Sequence, residues 1–100
     1  MDGIDIRFVK EAPTADVVRL YKEAGWWDES FDEAFIPEAI RNSYCFVGAF
    51  AGGRLVGMAR SFSDGVSDAY ILDIAVLKEF RGRGVARRMG SAMVSHLESL

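Results

Sequence analysis

Hydrophobic and polar residues alternate along several short segments of the chain, and this period of two is typical of strands with one buried face. Two turn signals separate such segments: Gly52-Gly53 is typical of a hairpin, and Asp64-Gly65 marks a second turn. The pattern predicts a first strand and then an antiparallel meander of three. The predicted strands are a segment that starts at Ile4 and ends before Pro13, then Tyr44–Ala51, Arg54–Phe62 and Asp68–Val76.

Apolar residues recur at helical spacing in two other segments. The first helix is predicted over about Ala15–Ala24, with Thr14 as its N-terminal cap and Gly25 as its stop. The last helix is predicted from about Gly84 to the end of the chain. Its apolar face contains methionines that suit the filling of a core.

A further helix is predicted to begin at Ser30, because Ser30 and Glu33 fit the S-x-x-E capping box. Pro37 lacks an N–H and clashes with a preceding helical turn, so we expect a break or kink near Ile36. The element order is then β-α-α-β-β-β-α. This order predicts an α+β fold in a single domain that spans residues 1–100.

The composition of the chain argues against several classes of protein. The chain is 50% hydrophobic and 27% charged, as in ordinary globular proteins, and no segment approaches the roughly 18 apolar residues of a membrane span. The acidic N-terminus differs from a signal peptide, so we expect a cytoplasmic protein. Cys45 is the single cysteine and His96 the single histidine, which leaves no zinc cluster and no obvious catalytic triad. We therefore expect no metal cofactor.

Charge is divided unevenly along the chain. Residues 1–40 hold ten acids and four bases, a net −6, whereas residues 41–100 hold five acids and eight bases, a net +3. An anionic ligand is therefore expected where the bases concentrate. Four of them fall within eight residues: Arg81, Arg83, Arg87 and Arg88.

The loop before the last helix places two glycines, Gly82 and Gly84, beside two of these arginines. Unpaired N–H groups at a helix start, glycines that allow close approach and nearby guanidinium groups together suit a phosphate. A solvated basic helix start is the simpler interpretation. Nucleic-acid binding is a weaker one, because the chain is acidic overall and no aromatic residues are interleaved with these arginines.

Three phosphate-binding motifs can be compared with this loop. A P-loop requires Lys-Ser or Lys-Thr, which does not follow Gly84, and a dinucleotide fingerprint would need a glycine where Arg87 stands. The pattern R/Q-x-x-G-x-G/A is satisfied by Arg81, Gly84 and Ala86, directly after a predicted strand that ends at Val76.

Strand, loop and helix together resemble the GNAT superfamily of acyl-CoA-dependent N-acyltransferases, and Arg81–Ala86 matches its acetyl-CoA pyrophosphate loop. The resemblance implies direct transfer of an acetyl group from acetyl-CoA to a primary amine, on a small molecule or a peptide. It further implies that Trp26 and Trp27 border the acceptor site, and that the main chain of Ile74 and Val76 pairs with pantetheine. The implied cofactor-binding residues are Ile74, Ala75, Val76, Arg81, Gly82, Arg83, Gly84, Val85, Ala86 and Arg87.

Asp73 is the candidate general base of this reaction. Strict alternation places it on one face of the last strand with Ile71 and Ala75, where an acid among apolar residues can be desolvated. The competing interpretation is a structural carboxylate bonded to neighbouring groups. Trp26 and Trp27 likewise have two interpretations, as contacts for the substrate or as hydrophobic plugs under a loop.

The resemblance covers only the N-terminal part of the GNAT fold. After this helix the family's mixed sheet continues with a parallel strand and further elements that carry the usual tyrosine acid. We therefore expect either a fragment or a sheet that a partner completes, with a homo-oligomer formed at the open edge of Asp68–Val76. Two alternatives to the enzyme remain: a non-catalytic acyl-CoA-binding or protein-interaction module, and a phosphate or nucleic-acid binder without a role for CoA.

Overall fold

A computed structural model describes residues 3–99, in which the four strands form one sheet in the order β1-β2-β3-β4. Every pairing between neighbouring strands is antiparallel, so the predicted meander and the α+β element order are confirmed. The elements are β1 (Ile4–Phe8), α1 (Thr14–Ala24), α2 (Phe35–Asn42), β2 (Cys45–Ala51), β3 (Arg54–Ser63), β4 (Ala69–Val76), a 3-10 helix (Lys78–Phe80) and α3 (Val85–Glu98).

The turn between β2 and β3 follows directly from its two glycines. Gly52 and Gly53 have φ values of +58° and +85°, and Ala51 pairs with Arg54 across them. Two successive residues with positive φ match the right-handed twist of a hairpin, and glycine adopts this conformation without a Cβ penalty.

Helix α1 ends as predicted but begins differently. Gly25 terminates it in the left-handed conformation, with its N–H donating to the Lys22 carbonyl. Thr14 is the first helical residue and not the cap, so that prediction is wrong. The cap is Pro13, whose carbonyl accepts the N–H of Asp16 at 3.1 Å, and no side chain caps this end. Proline suits the position because its φ is already fixed near the helical value.

Helix α2 begins at Phe35, five residues after the predicted start at Ser30. The capping box fails because the Ser30 hydroxyl donates backwards to the Asp28 carboxylate at 2.7 Å, which also accepts the Ser30 N–H. With the later start, Pro37 is the third residue of the helix, in the first turn, where N–H groups have no helical partner. The break expected near Ile36 is therefore absent.

Strand β4 contains a bulge that overturns the predicted alternation of its faces. Met58 and Arg60, two residues apart on β3, pair with Ala75 and Leu72, three residues apart on β4. The extra residue moves Leu72 onto the face of Ala75, because each inserted residue reverses the alternation that follows. Asp73 lies within the bulge and has a φ of +55°, the only positive value among the non-glycine residues in the described range 3–99.

The helices cover both faces of the sheet. A Cβ on Gly57 would lie 3.2 Å from the Met89 side chain of α3, whereas Arg60 on the opposite face reaches Ser43 at the end of α2. The largest side chains of the core are completely or almost completely buried, and the methionines expected to fill it are among them. They include Leu20, Ile36, Leu55, Met58, Leu77, Met89 and Met93.

Strand β4 is the last in the order, so within residues 3–99 one of its edges has no neighbouring strand. Tyr70, Leu72 and Ile74 on this strand are 67%, 38% and 44% exposed. Helix α3 follows the predicted segment, although the predicted end at Leu100 lies outside the described residues. None of the helices described is long and apolar enough to cross a membrane.

Candidate functional site

A 3-10 helix that sequence reasoning missed fixes the start of the candidate phosphate loop. The Lys78 N–H donates to the Glu23 carboxylate of α1 at 2.8 Å, and Glu79 forms an ion pair with Arg54 of β3 at 3.0 Å. Opposite charge was a signal for the Glu79–Arg54 pair, but the two residues lie far apart in the sequence, and the main-chain bond from Lys78 had no signal. Two separate elements therefore hold the chain where it leaves β4 and enters the loop.

Both loop glycines have a left-handed backbone conformation. Gly82 and Gly84 have φ values of +79° and +76°, and nothing lies within 4 Å of a Cβ placed on either. The backbone conformation, and not a lack of space, therefore demands glycine here. Within residues 3–99 the N–H groups of Gly84, Val85, Ala86 and Arg87 have no hydrogen-bond acceptor, so the start of α3 presents a row of free donors.

The four clustered arginines divide into different roles. Arg81 donates its Nε to the Val76 carbonyl at 2.9 Å, which ties the loop back to the end of β4. The Arg83 guanidinium lies 5.2 Å from the centre of the Phe80 ring. Arg88 donates to the Ile4 carbonyl at 2.8 Å and so anchors α3 to β1. Arg88 therefore forms a structural hydrogen bond, although the sequence predicted it beside a bound anion.

A cleft of about 300 Å³ lies in front of these groups. It contains seven of the ten predicted cofactor-binding residues. Ile74, Ala75 and Arg83 lie outside it: the Ile74 side chain is partly exposed, and Ala75 is buried. The cleft is lined by Val76, Phe80, Arg81, Gly82, Gly84, Val85, Ala86 and Arg87.

Asp73 is held in an ion pair that sequence analysis did not foresee. Its Oδ2 lies 2.6 Å from Arg60 Nε and accepts a hydrogen bond from the Tyr21 hydroxyl at 3.5 Å. The Asp73 and Arg60 side chains are 29% and 20% exposed, so water screens the pair only in part. Burial raises the pKa of the Tyr21 phenol, Arg60 opposes this rise, and Asp73 adds to it. These contacts support the structural interpretation of Asp73.

The two tryptophans lie in different environments. Trp27 is half-buried and packs against the core, whereas Trp26 is 43% exposed and contacts the Tyr21 ring at 5.9 Å. Phe31 and Phe35 join Trp27, at ring distances of 5.4 and 5.9 Å. We call Trp26, Trp27, Phe31 and Phe35 the aromatic patch. Sequence reasoning missed the phenylalanines, although aromatic residues at every fourth position from 27 to 35 were the available signal.

Neither Cys45 nor the possible metal ligands among residues 3–99 form a second candidate site. Cys45 is buried, and burial raises the pKa of its thiol, which keeps it protonated and inert at neutral pH. Across residues 3–99, no three side chains of His, Cys, Asp or Glu come together as a metal site would require.

Residues 10–100 match the sequence profile of the acetyltransferase (GNAT) family. The chain belongs to that family. Solved structures extend the likeness to the fold: a GNAT-family acetyltransferase protein from Streptococcus pneumoniae TIGR4 superposes with a TM-score of 0.78 at 24% identity, over 95% of this chain and 68% of the other. The comparison with curated proteins finds no match.

Two further structures show the same arrangement. A member of the GNAT family from Xanthomonas campestris pv. campestris has a TM-score of 0.75 at 28% identity, over 93% of this chain and 67% of its own. An aminoglycoside acetyltransferase from an uncultured soil metagenomic sample has a TM-score of 0.74 at 19% identity, over 97% and 71%. The chain thus spans about two-thirds of the length of these three solved chains.

Proposed function

We propose that this protein transfers an acetyl group from acetyl-CoA to a primary amine. The observation that carries the proposal is the row of free N–H groups at the start of α3, which opens on a cleft beside the unpaired edge of β4. A pyrophosphate needs several donors and a low density of competing negative charge, and this loop supplies both. Family membership supports the same cosubstrate.

In this proposal the loop amides that follow Arg81, up to Ala86, donate to the pyrophosphate oxygens, because the Arg81 N–H already donates to the Lys78 carbonyl. The side chains of Arg81, Arg83 and Arg87 offset the charge of the phosphates. The glycines let the phosphates approach the main chain closely. Pantetheine extends along the free edge of β4 and pairs with the main chain of Ile74–Val76. The Val76 carbonyl already accepts from Arg81 Nε, and its second lone pair remains for the ligand.

The chemical step requires an unprotonated amine. Its nitrogen attacks the thioester carbonyl carbon, the carbon–sulfur bond breaks, the amine loses a proton to a base, and the CoA thiolate takes up a proton. An N–H from the β4 main chain would stabilise the negative charge that develops on the carbonyl oxygen. Trp26 and Trp27 border the acceptor in this arrangement.

Asp73 is the base predicted from sequence, but its Oδ2 is already engaged by Arg60 Nε at 2.6 Å and by the Tyr21 hydroxyl. The test is the pH profile of turnover in Asp73→Asn. Loss of the ascending limb would assign the base to Asp73, whereas a lower rate with an unchanged profile would make it a positioning residue that holds the bulge.

The ion pair also favours a second candidate function, a non-catalytic acyl-CoA-binding module, because it engages the carboxylate that would act as base. Release of the CoA thiol in the presence of a panel of amines separates the two. Binding of acetyl-CoA without release of the CoA thiol, whichever amine of the panel is added, would support the non-catalytic binding module.

We also propose that residues 1–100 form one GNAT-like domain whose sheet is completed by a strand at the first part of the free edge of β4, beside Ala69–Leu72, so that Ile74–Val76 stay available to pantetheine. A second copy of the chain is the partner we favour, since an unpaired strand with exposed apolar residues readily recruits another. Light scattering should then show a dimer. A monomer that unfolds cooperatively would contradict this.

Titration calorimetry with acetyl-CoA tests the proposed cosubstrate directly. We expect saturable binding to acetyl-CoA and to dephospho-CoA, no binding to pantetheine, which lacks the pyrophosphate, and loss of binding in Arg81→Ala/Arg83→Ala. The matched control is Arg19→Ala/Arg41→Ala, which removes two exposed arginines outside the loop. Equal losses in both variants would indicate attraction by general charge and would contradict the proposal.

A further inference from the structure

The aromatic patch exposes more aromatic surface than packing requires. Trp26, Phe31 and Phe35 are 43%, 46% and 39% exposed, although each ring touches another ring of the protein. The patch lies on the segment between α1 and α2 and on the first turn of α2. Ring faces that remain open to solvent are available to a cation, because the face of an aromatic ring carries negative charge density.

The segment that carries the patch has charges of one sign. Residues 26–40 contain five acids and no base. Within the described range 3–99 none of these carboxylates forms an ion pair. Asp28 and Asp32 accept hydrogen bonds inside local turns, and the bonds from Ser30 lower the pKa of Asp28, so it stays ionised. The remaining carboxylates, which have no such bonds, are Glu29, Glu33 and Glu38.

The patch is continuous with the strand at which the proposed transfer takes place. The Tyr21 ring contacts both Trp26 and Trp27, at 5.9 and 6.5 Å, and its hydroxyl reaches Asp73 in the bulge of β4. A ligand seated on the exposed rings is thus one residue, Tyr21, away from the β4 bulge.

We propose that the aromatic patch and its unpaired glutamates bind a small acceptor with two or more ammonium groups. This inference rests on the proposed function, and it specifies the class of amine. One amine, unprotonated, meets the thioester, while the other ammonium groups lie over the exposed rings and near the carboxylates. A monoamine would use only part of this surface, and an anionic acceptor would be repelled.

The two tryptophans provide the readout, because the chain contains no others and both belong to the patch. Spermidine is the probe, and butylamine is its singly charged control. We expect spermidine to change tryptophan fluorescence saturably at about 0.15 M salt, where long-range attraction between exposed charges is screened. Butylamine should bind at least about tenfold more weakly, since it offers one charge to the same rings and carboxylates.

Charge variants separate a specific site from general attraction. Glu29→Gln/Glu33→Gln/Glu38→Gln should weaken spermidine binding about tenfold, from three lost exposed charge interactions. The matched control Asp5→Asn/Asp68→Asn/Glu98→Gln removes three exposed acids elsewhere and should leave the affinity unchanged. Circular dichroism confirms that both variants are folded. Equal weakening in the two variants, or equal affinity for spermidine and butylamine, would overturn the inference.

Failure of this inference is distinguishable from failure of the proposed function. Acetyl-CoA binding without any spermidine response would overturn the polyamine class and leave the transferase standing. A spermidine response in a wild-type protein that binds no acetyl-CoA would retain the cation site and reject the cosubstrate.

Discussion

The two sides of the proposed site recognise their ligands with different parts of the chain. On the donor side, Gly82–Ala86 presents main-chain N–H groups, and contacts from α1 and β3 hold the chain just before it. On the acceptor side, residues 26–38 present exposed rings and carboxylates on a segment ordered by local turns. Main-chain recognition tolerates many side-chain changes but few backbone changes, whereas side-chain recognition has the opposite sensitivity.

Trp27→Ala should have the largest effect on stability, because Trp27 links the acceptor segment to the core through the Tyr21, Phe31 and Phe35 rings. We expect a loss of about 3 kcal/mol in the free energy of unfolding. Trp26→Ala, with a single ring contact and more exposure, should lose less than about 1 kcal/mol. Urea unfolding measures both. Equal losses in the free energy of unfolding would contradict the conclusion that Trp27 stabilises the core and Trp26 does not.

Gly84→Val tests the sensitivity of the donor side to its backbone. A φ of +76° costs an L-residue roughly 1–2 kcal/mol, so the loop should leave this conformation and acetyl-CoA affinity should fall about tenfold. Gly90→Ala is the control, since Gly90 lies inside α3 with open space around an added Cβ. It should retain affinity and raise stability by about 0.5–1 kcal/mol. Normal binding by Gly84→Val in calorimetry would show that the loop geometry is dispensable.

Tyr21→Phe should have the smallest effect, and it probes the residue that links the aromatic patch to the bulge of β4. Burial raises the pKa of this phenol, so the unfolded chain releases the proton first as pH rises. The stabilisation is fully present below the ordinary value of about 10 and is lost as pH rises through the higher folded value. The wild type should therefore lose stability more steeply than Tyr21→Phe above pH 10. Parallel curves in urea unfolding would contradict this assignment.

Local sequence signals predicted the hairpin between β2 and β3, the glycine loop after β4 and helix α3. Each of these signals lies within one short segment of the sequence. Gly52-Gly53 and the loop glycines act through their own backbone conformation, and the apolar spacing of α3 belongs to a single helix. On the acceptor side, the predicted start of α2 was wrong because two hydrogen bonds compete for one side chain. The Ser30 hydroxyl fits a capping box, but it donates to the Asp28 carboxylate instead. Such competition between overlapping local bonds is not resolved by either pattern alone.

The bulge of β4 was beyond sequence analysis for a different reason. The residues around Asp73 alternate normally, and the inserted position is visible only in the register against β3. Arg60 offered a signal, as a charged residue in an otherwise buried strand that needs a partner. Its partner is thirteen residues away on the neighbouring strand, and only the pairing of the two strands brings them together.

Helix α3 follows all four strands in the chain and contacts each of them, and its Arg88 binds the carbonyl of Ile4 in the first strand. During synthesis, one face of the sheet therefore stays uncovered until α3 has left the ribosome, because the chain emerges from its N-terminus. The same helix presents the free N–H groups of the donor side, so the nascent chain completes its core and the proposed anion site in one event. A chain stalled before α3 would expose an apolar sheet face, which is a target for chaperones.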